Sequence, residues 1–62
     1  MKATLVSINQ TRGVYTYYNN HVFFIIDKVR LAGYLKHESG YLIERITGTD
    51  FINYGLNYLN SL

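Results

Sequence analysis

Residues 14–27, VYTYYNNHVFFIID, contain the clearest secondary-structure signal in the sequence. Two runs rich in β-branched and aromatic residues, 14–18 and 21–27, flank the pair Asn19-Asn20, and such residues favour strands. Asparagine tolerates the left-handed backbone conformation that a two-residue type I′ turn requires. The stretch therefore predicts an antiparallel β-hairpin that turns at these two asparagines.

This turn would fix the register of the hairpin and the content of its two faces. Tyr18 is predicted opposite His21, and Tyr17 opposite Val22. One face would carry Tyr15, Tyr17, Val22, Phe24 and Ile26, and the other Val14, Thr16, Tyr18, Phe23 and Ile25. A half-exposed hairpin normally has one polar face. Since both faces here are rich in apolar residues, the hairpin is predicted to be central in the fold or to form part of an interface.

Turn residues divide the rest of the chain into further short segments. Residues 2–9 are rich in strand-forming residues. Residues 28–36 could form a helix or a strand, but their apolar residues alternate, and Gly33 in mid-segment costs a helix about 1 kcal/mol. We therefore favour a strand, followed by a loop over residues 37–40 and a last strand over residues 41–47.

The period of the apolar residues becomes helical near the C-terminus. Thr49 or Asp50 can cap a helix there. Its apolar stripe contains Phe51, Ile52, Gly55, Leu56, Tyr58, Leu59 and Leu62. Gly55 lies within this stripe, where the missing side chain would let a strand approach closely. The predicted fold class is α+β, with a single domain over residues 1–62. This domain would consist of a small antiparallel meander of four to five strands and one C-terminal helix. A curled, SH3-like sheet is one possible form of the meander.

The second predicted hairpin, with Lys36 opposite Tyr41, supplies the candidate partner-binding residues. Its core face would carry Val29, Leu31, Leu35, Leu42 and Ile46, with Glu44 opposite Gly33. Its outer face would carry Lys28, Arg30, Tyr34, Lys36, Tyr41 and Arg45. Basic side chains with interleaved tyrosines can contact an acidic protein surface, or neutralise phosphates while the rings stack on bases. The alternative is an ordinary solvated face.

Composition favours self-association. The chain has 62 residues, 48% of them hydrophobic, and no cysteine. A domain of this size buries only about 60% of the surface that its unfolded chain exposes, and disulfides cannot compensate here. A homodimer is therefore expected, because association would bury the remaining apolar surface.

The sequence contains none of the motifs that indicate catalysis or cofactor binding. No nucleophile motif and no glycine-rich phosphate loop occurs, and the two histidines, His21 and His37, lack a neighbouring serine with an orienting acid. We expect a non-enzymatic protein without cofactor or metal. No apolar run approaches the roughly 20 residues that span a bilayer, so the expectation is a soluble cytoplasmic protein with no membrane partner.

These observations leave three functional hypotheses. The favoured one is a small binding module that docks on a larger protein and modulates or inhibits it. Short chains rich in Asn, Ile and Tyr are common among phage and mobile-element regulators, which suggests such an origin. The alternatives are a nucleic-acid-binding module and a structural subunit of a homo-oligomer. If the basic outer face is only solvated surface, the alternative interface is Tyr15, Tyr17 and Val22, because tyrosine suits surfaces that are buried part of the time.

Overall fold

A computed structural model describes residues 2–62 and shows five strands followed by one helix. The elements are β1 (Thr4–Asn9), β2 (Val14–Asn19), β3 (Val22–Asp27), β4 (Ala32–His37), β5 (Leu42–Thr47) and α1 (Phe51–Asn60). Each strand pairs antiparallel with the next one along the chain. The predicted α+β meander with a C-terminal helix is confirmed. The sheet does not close, and β1 and β5 are its two edges.

The central hairpin turns one residue later than predicted. Asn20 and His21 have the positive φ angles of a type I′ turn, 50° and 70°, whereas Asn19 pairs with Val22 inside the strands. The predicted residue pairs are therefore wrong, because the partner of each β2 residue lies two positions later in β3 than predicted. The observed pairs include Tyr18 with Phe23, Tyr17 with Phe24, and Tyr15 with Ile26.

A tertiary contact of Asn19 explains this shift. The Asn19 side chain is buried, and its amide Nδ2 donates a hydrogen bond to the carbonyl oxygen of Leu59 in α1, at 2.8 Å. Asn19 is thus a core-facing strand residue, and His21 supplies the second turn position. Because the register moves by two residues, every side chain of the hairpin keeps its predicted face.

The predicted strand over residues 28–36 is wrong in its first half. Residues 28–31 form a turn, and β4 begins at Ala32. Asp27 Oδ1 accepts hydrogen bonds from the backbone N–H groups of Val29 and Arg30, at 3.1 and 3.0 Å, which is how aspartate stabilises turns. Val29 is consequently 77% exposed, and Leu31 is exposed too, so neither belongs to the predicted core face.

The register between β4 and β5 also differs from the prediction. Gly33 lies opposite Ile46 rather than Glu44, and Lys36 lies opposite Leu42 rather than Tyr41. The register shifts between Leu35 and Lys36, so Leu42 shares the face of Lys36. Leu42 is therefore exposed instead of buried, while Leu35 and Ile46 are core residues as predicted.

The core forms where α1 packs across the sheet. Its buried apolar members are Val22, Phe24, Ile26, Leu35, Ile46, Phe51 and Leu59. Phe24 is completely buried, and its ring lies against two glycines. A Cβ atom added at Gly33 would lie 2.5 Å from Phe24 Cε1, and one added at Gly55 would overlap the same ring. The prediction that Gly55 allows close approach of a strand is confirmed.

The helix begins as expected but without the expected cap. Asp50 occupies the N-cap position, yet its side chain makes no hydrogen bond to the helix backbone. Instead, Asp50 Oδ1 accepts a hydrogen bond from Asn53 Nδ2 at 2.9 Å. Gly48, with a φ of 110°, turns the chain between β5 and α1.

Substitution of Gly55 should destabilise the protein although it favours the helix. Alanine improves intrinsic helix propensity by about 1 kcal/mol, but overpacking a buried ring costs about 1–3 kcal/mol. Since the added Cβ at Gly55 overlaps the Phe24 ring, the overpacking cost should exceed the gain in propensity, and we expect Gly55→Ala to lower the free energy of unfolding by about 1–2 kcal/mol net. Urea denaturation measures the change.

The exposed helix position Asn57 provides the matched control. Asn57→Ala should not destabilise the fold, because nothing packs over an exposed site of this kind. In a Phe24→Leu background the cost of Gly55→Ala should shrink, since the two residues are in contact. Equal costs in both backgrounds would contradict the proposed overlap.

Candidate interaction surface

The face of the sheet that points away from α1 carries a continuous set of polar and apolar side chains. Phe24, Leu35 and Ile46 pack against α1, so their neighbours along each strand point to the opposite side. We call this side the outer face, and its central residues are Thr16, Tyr18, Phe23, Ile25, Tyr34, Lys36 and Arg45. All are partly or largely accessible to solvent.

Strand pairing arranges these residues in two rows across the sheet. One row runs Tyr18, Phe23, Lys36, Leu42, and the other runs Thr16, Ile25, Tyr34, Arg45. The rings of Tyr18 and Phe23 contact each other, with centroids 4.9 Å apart and planes tilted by 53°. Directly opposed side chains lie about 5 Å apart, so the face has an aromatic and aliphatic centre with two cations at its β5 side.

The two cations of the outer face have no acidic partner within the part of the chain that the structure describes. Among residues 2–62, Arg30 pairs with Asp27, and Glu38 is contacted by His21, which is charged only when protonated; neither contact involves Lys36 or Arg45. Arg45 is exposed, and Lys36 is partly exposed. Both charges are therefore available to a negatively charged surface.

The structure brings together three of the six predicted partner-binding residues. Tyr34, Lys36 and Arg45 are neighbours on the outer face. Lys28 and Arg30 lie in the turn before β4, so the prediction that they share this face is wrong. Their placement follows from the turn at Asp27, which removes both residues from the strand.

These two turn cations have partners elsewhere. Lys28 Nζ lies 5.0 Å from the ring centroid of Tyr15, which is on the helix side of the sheet. Arg30 Nε lies 3.8 Å from Asp27 Oδ2. Both contacts are at the end of the sheet, so they do not extend the basic patch of the outer face.

Tyr41 was also predicted on the outer face, and this placement is wrong. It precedes β5 and stacks on His37, with ring centroids 4.9 Å apart and planes 10° apart. The core residue Val22 lies opposite His37, so the imidazole belongs to the helix side. The register shift in β4 and β5 leaves Tyr41 outside the paired strands.

The alternative interface predicted from the sequence, Tyr15, Tyr17 and Val22, lies on the helix side of the sheet, partly within the core. Val22 is 7% exposed and belongs to the core, so it is inaccessible to a partner. Tyr15 and Tyr17 are partly buried and pack against the core on the helix side.

Four residues of the outer face within β2 and β3 were not among the sequence candidates: Thr16, Tyr18, Phe23 and Ile25. Their alternation within residues 14–27 was visible in the sequence. A single helix covers only one face of the sheet, which leaves the other apolar face accessible.

A polar cluster lies beside the outer face, where the β2–β3 turn meets the β4–β5 loop. Tyr18 Oη donates a hydrogen bond to Glu38 Oε1 at 2.8 Å, and His21 Nδ1 lies 3.0 Å from Glu38 Oε2. The backbone N–H of His21 donates to Tyr18 Oη at 3.2 Å. These bonds hold the Tyr18 side chain in place on the outer face.

The same bonds shift two pKa values in opposite directions. Hydrogen bonds from Tyr18 and then His21 lower the pKa of Glu38 below its ordinary value, because they stabilise the charged carboxylate. The bond to Glu38, followed by desolvation, raises the pKa of Tyr18, because its neutral hydroxyl is the donor. The cluster therefore favours an ionised Glu38 and a neutral Tyr18 at neutral pH.

Comparison with protein families, with curated proteins and with solved structures finds no match to this chain. No helix among residues 2–62 is long and apolar enough to cross a membrane. Within the same residues, no three His, Asp or Glu side chains are grouped so that they could hold a metal ion.

We predict that Glu38 makes the stability of the protein depend on pH in the acidic range. Its pKa is lower in the folded state, so its contribution is present above the ordinary value of 4.5 and is lost as pH falls through the lowered value. Glu38→Gln should lower the free energy of unfolding near neutral pH. The curves of parent and variant should converge at low pH, as measured by urea denaturation across the pH range.

Glu44→Gln is the control, because it removes a carboxylate that lies outside the cluster. In a Glu44→Gln background, Glu38→Gln should still lower the free energy of unfolding near neutral pH by the same amount. A constant difference between parent and Glu38→Gln at every pH would mean that ionisation of Glu38 does not stabilise the fold.

Proposed function

We propose that the protein is a non-enzymatic binding module that docks through its outer face on an acidic surface of a larger protein and thereby modulates or inhibits it. The observation that carries this proposal is the aromatic and aliphatic centre of an uncovered sheet face, with two cations beside it that lack partners among residues 2–62. The same arrangement of an apolar core and a charged rim is typical of protein interfaces.

The centre of the face would supply the affinity. Phe23, Ile25 and Tyr34 are partly exposed, so a partner would remove further apolar surface from water. Buried tyrosine and arginine side chains dominate the binding energy of many interfaces, and Tyr34 lies directly opposite Arg45. Lys36 and Arg45 would mainly increase the association rate by steering an acidic partner.

A nucleic acid is the second candidate, because aromatic rings beside cations can stack on bases and contact phosphates. The pair of Tyr34 and Arg45 favours it. The protein partner is better supported, since the middle of the face is formed by Ile25, Thr16 and Phe23 and only two cations of the described chain border it. A single-stranded nucleic acid would need a longer basic track along its backbone.

Self-association is part of the same proposal and is compatible with docking. A homodimer would bury apolar surface elsewhere on the chain, while the outer face remains accessible. A purely structural homo-oligomer is the third hypothesis, in which the outer face has no further partner. The cytoplasmic location and the phage or mobile-element origin stay predictions.

Selection from a random-peptide display library tests the docking proposal, because it samples many partner surfaces at once. We expect the parent protein to enrich peptides that combine Asp or Glu with apolar residues. The double reversal Lys36→Glu/Arg45→Glu should weaken binding of these peptides by about tenfold or more at low salt, and the loss should shrink as salt screens the charges. Tyr34→Ala should speed dissociation with little dependence on salt.

The matched control is Arg12→Glu/Lys28→Glu, which changes net charge equally at two exposed residues outside the outer face. It should retain most of the affinity. Labelled oligonucleotides of single-stranded DNA and RNA form the second arm. Binding of oligonucleotides but not of peptides would indicate that the partner is a nucleic acid and not a protein. Unchanged peptide binding by the double reversal would show that the outer face is only solvated surface.

A further inference from the structure

The strands that carry the outer face already accept one helix on their other side. Helix α1 begins at Phe51, just after β5, and its Leu59 carbonyl accepts the hydrogen bond from Asn19 of β2, so α1 crosses the sheet from β5 to β2. A helix of ten residues is about 15 Å long, and four neighbouring strands span about 14 Å. The length of α1 therefore matches the width of β2 to β5.

The two rows of the outer face cross the same four strands. One row extends from Tyr18 to Leu42, and the other from Thr16 to Arg45. Residues two positions apart on a strand are about 7 Å apart, so a helix about 10 Å in diameter that lay between the rows would contact both of them. The outer face thus has the dimensions to hold a second helix of about ten residues.

The apolar centre of the face requires an occupant whose backbone is paired within itself. Strands β2, β3 and β4 are interior strands that pair on both sides, and their side chains at the centre include Phe23, Ile25 and Tyr34. An extended segment laid on this centre would bury backbone N–H and C=O groups without partners, which costs free energy. A helix forms these hydrogen bonds internally. The centre of the face therefore favours a helix over an extended peptide.

The two cations favour a helix over a second sheet and give the helix a direction. Lys36 and Arg45 lie at the β5 side of the face, whereas its β2 and β3 residues are uncharged. The C-terminal end of a helix carries a partial negative charge, but a sheet has only a small net dipole. Acidic side chains in the last turn are unfavourable in an isolated helix, and the two cations would offset that repulsion.

The helix of a second copy of this chain does not fit this description. The apolar residues Phe51 and Leu59 of α1 are buried in the core of their own chain, and residues 51–60 include no Asp or Glu. The central residues of the outer face are not acidic either, so a second copy would also offer no partner for the two cations if the faces packed together. The occupant is therefore part of a different protein.

We propose that the outer face binds an amphipathic α-helix of a partner protein, which crosses β2 to β5 with an acidic C-terminal turn above Lys36 and Arg45. Apolar residues of that helix at positions i, i+3, i+4 and i+7 would contact Phe23, Ile25 and Tyr34. The inference rests on the proposed docking function and names the chemistry of the partner. In the complex the sheet would have a helix on each face, which is a common arrangement of layers.

Display selection in two formats tests the proposal. One library randomises an exposed helix face on a rigid helical bundle, and the other randomises an extended strand on a β-hairpin. Outer-face binders are defined as those that bind the parent but not Ile25→Lys. We expect them from the helical library, with apolar residues at the helical spacing and Asp or Glu in the last turn.

Ile8→Lys is the matched control, because it makes the same change at an exposed isoleucine on the helix side of β1. It should retain binding of the selected helices. Circular dichroism and a cooperative thermal transition verify that each variant is folded. Thr16→Lys, at a partly exposed site on the outer face, is the second variant and should also abolish binding.

Spin labels at the two ends of a selected helix measure its direction. A label after the last turn should broaden the amide resonances of β5 around Arg45, and a label before the first turn should broaden those of β2. Arg45→Glu should weaken binding about tenfold or more at low salt. Replacing the acidic residues of the helix by lysine should restore most of this loss, because only directly opposed charges are coupled in this way.

Four results would overturn the proposal. They are outer-face binders that come only from the hairpin library, a bound helix in the reverse direction, a charge swap without rescue, and a dimer of the protein alone that Ile25→Lys dissociates in sedimentation equilibrium. The last result would place a second copy on the outer face. The first three would leave docking through the outer face intact, whereas the absence of outer-face binders from both libraries would contradict the docking function as well.

Discussion

The fold depends on the contact between the Phe24 ring and the backbone of α1 at Gly55. The ring occupies the space that side chains at Gly55 and Gly33 would fill, so helix and sheet approach more closely than ordinary residues allow. In a chain of 62 residues without a disulfide, the buried apolar residues are few, so close packing among them contributes to the stability of a small core.

This contact also determines which surfaces remain accessible. The helix is only ten residues long and packs against the face of Phe24 in β2 to β5. The opposite face, which includes Phe23 and Ile25, is left to solvent, and so is the edge strand β1. One short helix over a five-stranded meander thus leaves two separate surfaces accessible, a basic and aromatic face and an uncharged edge strand.

Much of the architecture could be predicted from the sequence because it follows from local chemistry. Alternating apolar residues, turn-forming asparagine and glycine, and a late change to helical spacing indicated four to five strands and one helix. The candidate site was predicted only in part. Tyr34, Lys36 and Arg45 lie together as expected, but Lys28 and Arg30 do not, because the Asp27 side chain bonds the backbone of residues 29 and 30 and forms a turn there.

The class of fold, the faces of the central hairpin and the role of Gly55 could be read from the sequence, because each depends on residue type and on the period of the pattern. The strand registers depend instead on tertiary contacts. Asn19 is drawn into the core by its bond to the carbonyl of Leu59, forty positions away, and the strand shift at Lys36 moves Leu42 to the surface. The register of a strand depends on which backbone groups elsewhere in the chain need a hydrogen-bond partner. A local sequence pattern contains no information about those groups.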